Sequence, residues 1–355
     1  MGTYRYIPRS CLLDPTESSW HKIWDNAHTE SSFTCLVRLN RSSFNRLLLL
    51  CDPDALASID GFTDRTRTQR RPGPLRVLDA PGHLGMALTW MASMVEQKHM
   101  ATLFGVTNVS SYLRDSLQLL LDGLKRRPEF ACALRGDFHW AASADAVDAT
   151  YGECPIKGLR CCGAMDCFVL ITNSSGDILM QNKDYNGKNK GPAGNCLTVV
   201  DFLGFTVFFS GPWEGKRGDV AVMQRSGVLK FLRDSLPPNF FIVADEAFGL
   251  DAYYDIIWSA ERFNPGRAVS AEEIRLFHKW CHKIRKSVEW QNHSFKQLWP
   301  RLKVPTPPGD RQYRADVIEI AVRLTNLLAA WEDGHVQTKT VFQEGFLRSR
   351  FAGRF

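Results

Sequence analysis

Phe240-Phe241-Ile242-Val243-Ala244-Asp245 is an unbroken apolar run that ends on an acid. A strand that is apolar on both alternating faces belongs inside an α/β sheet, covered on either side. Upstream, residues 219–236 carry Val222, Val228, Leu229 and Leu232 at helical spacing and stop before Pro237 and Pro238, so they read as one amphipathic helix. A helix ahead of the run lets the strand return parallel to an earlier one. Residues 197–202 and 205–209 flank Gly204 as a hairpin. Residues 167–181 read as another hairpin, turning at Asn173-Ser174-Ser175-Gly176, and residues 143–148 as a short strand. The expected architecture is α/β, a mixed sheet flanked by helices.

Downstream, Ile274, Phe277, Cys281, Ile284, Val288, Phe295 and Leu298 make an apolar stripe, so residues 271–299 are expected as one long helix. Beside the stripe, Arg275, Lys279, His282, Lys286, Glu289, His293 and Lys296 follow at three- and four-residue steps and share a line. Glu289 is the one carboxylate in it. Charge gathers here: residues 262–303 hold ten Lys and Arg against three acids, while the whole chain of 355 residues carries +6. A second basic group, Arg65, Arg67, Arg70 and Arg71, precedes Pro72 and Pro74 in a stretch that reads as a linker. One such cluster is an ordinary solvated face; two of them point to a polyanion such as DNA.

The N-terminal part differs. Residues 1–33 show little periodicity and are expected to form a loose arm; residues 34–136 are expected to be helical. Gly105 suits a helix C-terminus, and Thr107 or Asn108 can cap a following helix with Val109, Leu113, Leu117 and Leu120 on one face. The pattern fits an ordinary helical hairpin or a DNA-reading helix-turn-helix, which would expose Ser110, Ser111 and Arg114. A hydrophobic share of 44% suits a globular chain. No apolar stretch is long enough for a membrane span and the first residues lack a secretory signal, so an intracellular protein without a membrane partner is expected. Cys154, Cys161, Cys162 and Cys167 cluster without the paired spacing of a zinc site.

Three acids stand out by position. Asp148 and Asp245 are each expected to close a strand, at the sheet edge where α/β proteins bind ligands. Glu289 lies beside the buried face of a helix lined with cations. Carboxylates brought together repel unless cations neutralise them, and hard oxygen ligands suit Mg2+ or Mn2+. Two such ions can cut a phosphodiester. Each acid also has an ordinary role open to it: Asp148 and Asp245 as turn or helix caps, Glu289 as a partner of Lys286 or His293.

Several blocks resemble PIF/Harbinger-type DDE transposases. Val147-Asp148-Ala149-Thr150 through Pro155-Ile156 is similar to that family's V-D-G-T-x-x-x-x-P-I. The run from Tyr185 to Lys190 resembles Y-x-G-K-K, and Gly211-Pro212 through Asp219 resembles G-P-x-x-G-x-x-x-D. Val243-Ala244-Asp245 through Leu250 resembles G-D-x-A-Y-x-L, and Arg285 through Lys296 resembles R-x-x-V-E-x-x-F-x-x-L-K. Leu324-Thr325-Asn326-Leu327 resembles L-H-N-L, and Leu103-Phe104-Gly105-Val106-Thr107 the helix-turn-helix L-F-G-V-S. Departures are Ala149 and Ala244 for Gly, and Gly218 and Thr325 for His.

The resemblance implies an RNase H-like domain over 137–335, with residues 158–184 as an insertion and 336–355 as a basic tail. It implies a DNA endonuclease or transposase in which Asp148, Asp245 and Glu289 hold two Mg2+ or Mn2+ ions, with Asp219 as an accessory acid or an N-cap. Arg114, Arg275, Lys279, Lys286 and Lys296 are the expected DNA contacts. It further implies a nuclear protein, a separate Myb-like DNA-binding partner, and room for self-association. The rival readings are a transposase-derived DNA-binding protein that no longer cuts, and a metal-dependent hydrolase of small phosphoesters.

Overall fold

A computed structural model describes residues 7, 11–57, 78–130, 137–248, 256–259, 269–307 and 310–331. The expected linker with its arginine cluster and the basic tail lie outside these residues. The chain divides into two units, Met1–Pro128 with Leu298–Leu302, and Glu129–Gln297 with Lys303–Phe355.

The first unit is helical: α1 (Ser19–Asp25), α2 (Glu30–Val37), α3 (Arg41–Leu50), α4 (Pro53–Ala57), α5 (Ala80–Met91), α6 (Gln97–Phe104) and α7 (Val109–Lys125). Residues 11–33, expected as a loose arm, instead supply its core. Trp20 on α1 is 1% exposed and packs on Phe33, Phe44 and Phe104. The few apolar residues of this short helix are too sparse to show a period, yet a single buried indole anchors it. Gly105 ends α6 in the left-handed region, φ 71°, as its lack of a Cβ permits. On α7, Val109, Leu113 and Leu117 are buried while Ser110 and Arg114 are exposed.

In the second unit α8 (Asp137–Tyr151) precedes β1 (Arg160–Ile171), α9 (Ile178–Asp184), β2 (Tyr185–Asn186), β3 (Gly191–Asp201) and β4 (Thr206–Glu214). Then come α10 (Asp219–Ser226), α11 (Val228–Ser235), β5 (Phe240–Ala244), β6 (Ile257–Trp258), α12 (Ala271–Leu298) and α13 (Arg311–Trp331). The sheet is mixed, helices flanking it. β1 pairs antiparallel with β3 and parallel with β5; β5 pairs parallel with β6; β3 also pairs antiparallel with β4. The consequent order, β4-β3-β1-β5-β6 with short β2 added beside β3, is consistent with an RNase H-like fold.

The run 240–245 behaves as expected: Phe241, Ile242, Val243 and Ala244 are buried between β1 and β6. Four expectations change. Residues 143–148 are helical, not a strand, because α8 is buried round much of its circumference through Ala142, Ser143, Ala144, Ala146 and Val147. Residues 158–184 are no insertion: they contain β1, in the middle of the sheet. After β1 the chain forms α9, and the partner of β1 is β3, so residues 167–181 are not a hairpin. The expected helix 219–236 is two helices broken at Gly227, φ 83°, a conformation glycine adopts without strain.

Candidate active site

Parallel pairing sets the levels. Met165 lies opposite Ala244, so the next residues, Asp166 within β1 and Asp245 just past β5, stand side by side where the pairing of the two strands ends. α12 crosses the same sheet face in register with β1. Val288 clusters with Ala164 and Val200, Asn292 Nδ2 donates to Asp166 Oδ2 (3.3 Å), and Phe295 stacks near Phe168 (6.1 Å). Glu289, one turn before Asn292, therefore comes down beside Asp166. Asn292 is held on its other side by Thr198, whose Oγ1 donates to Asn292 Oδ1 (2.9 Å).

The three acids differ in state. Burial, then repulsion from Asp219 and Glu289, pushes the Asp166 carboxyl up to about 6, despite hydrogen bonds from the Cys167 amide and Asn292. Asp245 and Glu289 are about half exposed and share one cation: Arg285 Nη1 meets Asp245 Oδ1 at 2.5 Å and Nη2 meets Glu289 Oε1 at 3.3 Å. Asp245 Oδ1 also accepts the Glu246 amide (2.8 Å). Asp219 is the first residue of α10, where the helix dipole favours an acid, and the N-cap is Gly218. It meets Lys188 at 3.4 Å, and it also holds the Cys167 thiol well above its ordinary range, second to burial.

Asp148 is elsewhere. α8 places Ser143, whose Oγ donates to the Cys162 carbonyl, nearer the middle of β1 and carries Asp148 towards its start. There Arg160 Nη2 holds Asp148 (2.7 Å) and Asp145 (2.8 Å). Arg160 lies opposite Phe240, the first residue of β5, whereas Asp245 follows its last. The five steps from Phe240 to Asp245 span about 17 Å of strand at ~3.3 Å each. Asp148 therefore lies near the start of β1, and the acid set level with Asp245 is Asp166. Its signal was available: Cys161 to Met165 and then Asp166 repeats the design of 240–245, an apolar run closed by an acid.

The cations of α12 also sort differently. Lys279 and Lys286 are exposed, as expected of phosphate contacts. Arg275 is engaged by Glu272 through two bonds (2.8 and 2.7 Å). Lys296 turns inward: its Nζ donates to the Val169 carbonyl (2.8 Å), beside the Phe168 ring, and burial pulls its ammonium down from the usual lysine value.

The three acids offer hard oxygens, and the one guanidinium among them offsets only one of their charges, so the set suits a divalent cation. Among the described residues no three His, Cys, Asp or Glu side chains stand close enough to share one ion. Loading would require the carboxylates to close up.

Among the described residues no helix is long and apolar enough to cross a membrane. No curated protein and no solved structure matches the chain. The DDE superfamily endonuclease model matches residues 165–326, a span that opens at the end of the buried run of β1, includes Asp166, Asp245 and Glu289, and leaves Asp148 out. Over those residues the chain is similar to the DDE superfamily endonucleases.

Proposed function

We propose that the second unit cuts DNA phosphodiesters with Asp166, Asp245 and Glu289 as ligands of divalent ions, Mg2+ or Mn2+. What carries this is the level placement of Asp166 and Asp245 on adjacent parallel strands, with Glu289 brought beside them by α12. When bound, two such ions supply an activated water and charge for the leaving oxygen. The residues of the chain prepare that centre. Asn292 orients Asp166, the Glu246 amide orients Asp245, and exposed Lys279 and Lys286 hold the phosphate backbone, which positions DNA without reading its sequence. Arg114 and Ser110 on α7 are the side chains for base reading. A DNA substrate places the working protein in the nucleus, where a Myb-like partner or a second copy can add specificity. The test is Mg2+-dependent nicking of plasmid DNA. Asp166→Asn, Asp245→Asn and Glu289→Gln each lower the rate on the order of a thousandfold, as losing several kcal/mol of transition-state stabilisation requires, while Asp148→Asn stays within about threefold. Loss of nicking in Asp148→Asn, with Asp166→Asn active, overturns the assignment. A second reading, DNA binding without cutting, draws on the Arg285 pairs, which hold two of the three acids; it predicts full affinity and no nicking in any metal.

A further inference from the structure

We propose that Arg285 is a resident counter-cation of this site, which a divalent ion must displace and which then binds a DNA phosphate. This rests on the function proposed above. Arg285 sits four residues before Glu289 on α12, and its fork is split between two acids from different elements, Asp245 after β5 and Glu289 on the helix. Such a bridge shares one positive charge between both carboxylates while holding them apart, one on each nitrogen. Metal ligation demands the opposite, oxygens closing on one point, so the bridge and the ion exclude each other.

Two further observations make Arg285 a mobile bridge instead of a fixed brace. Its Nε is buried with no hydrogen-bond partner, so the guanidinium is only partly satisfied where it lies. It also lines a shallow cleft with Asp245, Glu246, Cys281 and His282 at its walls, and its side chain is already 31% open to solvent, towards which the head group can turn. Released beside the acids, it presents a planar fork that matches two phosphate oxygens. Metal and DNA then bind with positive coupling, because the ion frees the group that the DNA uses.

The experiment compares the full chain with Arg285→Ala and Arg285→Lys. Mn2+ alone is titrated calorimetrically, and duplex DNA binding is followed by fluorescence anisotropy with and without Ca2+. Removing the competing charge-assisted bonds raises Mn2+ affinity roughly tenfold in Arg285→Ala. In the same variant the gain in DNA affinity that Ca2+ brings to the wild type disappears; Arg285→Lys keeps part of both behaviours. Unchanged or weaker Mn2+ binding by a folded Arg285→Ala protein overturns the proposal and makes Arg285 a structural brace, with the metal site itself untouched. If the wild type binds no Mn2+ while Asp166→Asn and wild type bind DNA alike, the proposed function fails, and this inference with it.

Discussion

Both ends of the β1–β5 pair carry two carboxylates joined by one arginine. At the start, Arg160 holds Asp145 and Asp148; at the finish, Arg285 holds Asp245 and Glu289. The first cluster ties α8 to the sheet, its arginine lying near the Phe240 ring. The second adds Asp166, whose carboxyl is pushed up to about 6 by burial and by Asp219 and Glu289. An arginine between two acids is a common brace. Surplus negative charge is larger at the finish of this pair, where one guanidinium faces three acids, than at the start, where one faces two.

The largest way to break that contrast is the surplus acid itself. Its folded value of about 6 stands above the ordinary 3.8, so between those pH values the folded chain keeps a proton that the unfolded chain has lost. Ionising Asp166 therefore costs stability, fully above pH 6 and not at all below about 4. At 1.36 kcal/mol per pKa unit the cost at neutral pH is on the order of 3 kcal/mol. Asp166→Asn should unfold several degrees later than wild type at pH 7.5, the two melting curves converging as pH falls below 4. Equal stability at both pH values would mean that Asp166 is not strained by its neighbours.

A smaller effect concerns which cations at the finish face DNA. Replacing Lys279 and Lys286 together with Gln should flatten the slope of log affinity against log salt by nearly 2, at about 0.9 per phosphate contact. Lys296→Gln should leave that slope alone and lower the melting temperature, since its ammonium is committed to the Val169 carbonyl. A slope changed by Lys296 and not by the pair would reverse the assignment. Smallest is the brace at the start: Arg160→Met should cost about 1 kcal/mol or less of stability, being partly exposed. Nicking per folded molecule should not change.

Asp245 and Glu289 were legible because their elements obey simple periods: a fully apolar strand, and a long helix with a clean stripe. Asp166, level with Asp245, was not. β1 opens with Cys161-Cys162-Gly163-Ala164-Met165, which lacks the β-branched residues that mark strands. α8 hid its helical period because it is buried on several sides, so Val147-Asp148 read as the end of a strand. The break at Gly227 divides a stretch whose apolar spacing alone looks continuous. Paired charges such as Arg285 with Asp245 join residues forty positions apart, which no local pattern reveals.

Asn292 has a consequence for fidelity. Its amide takes a hydroxyl proton from Thr198 and gives its own to Asp166, so neither a flip nor a slide leaves both bonds intact. It works as a detent on a ratchet whose teeth are 5.4 Å apart, one helical turn. A click in one direction would offer Arg285 in Glu289's place, and a click in the other would offer His293. Either puts a nitrogen-bearing side chain where the Glu289 carboxylate stands, so this single buried amide decides which side chain α12 presents beside Asp166.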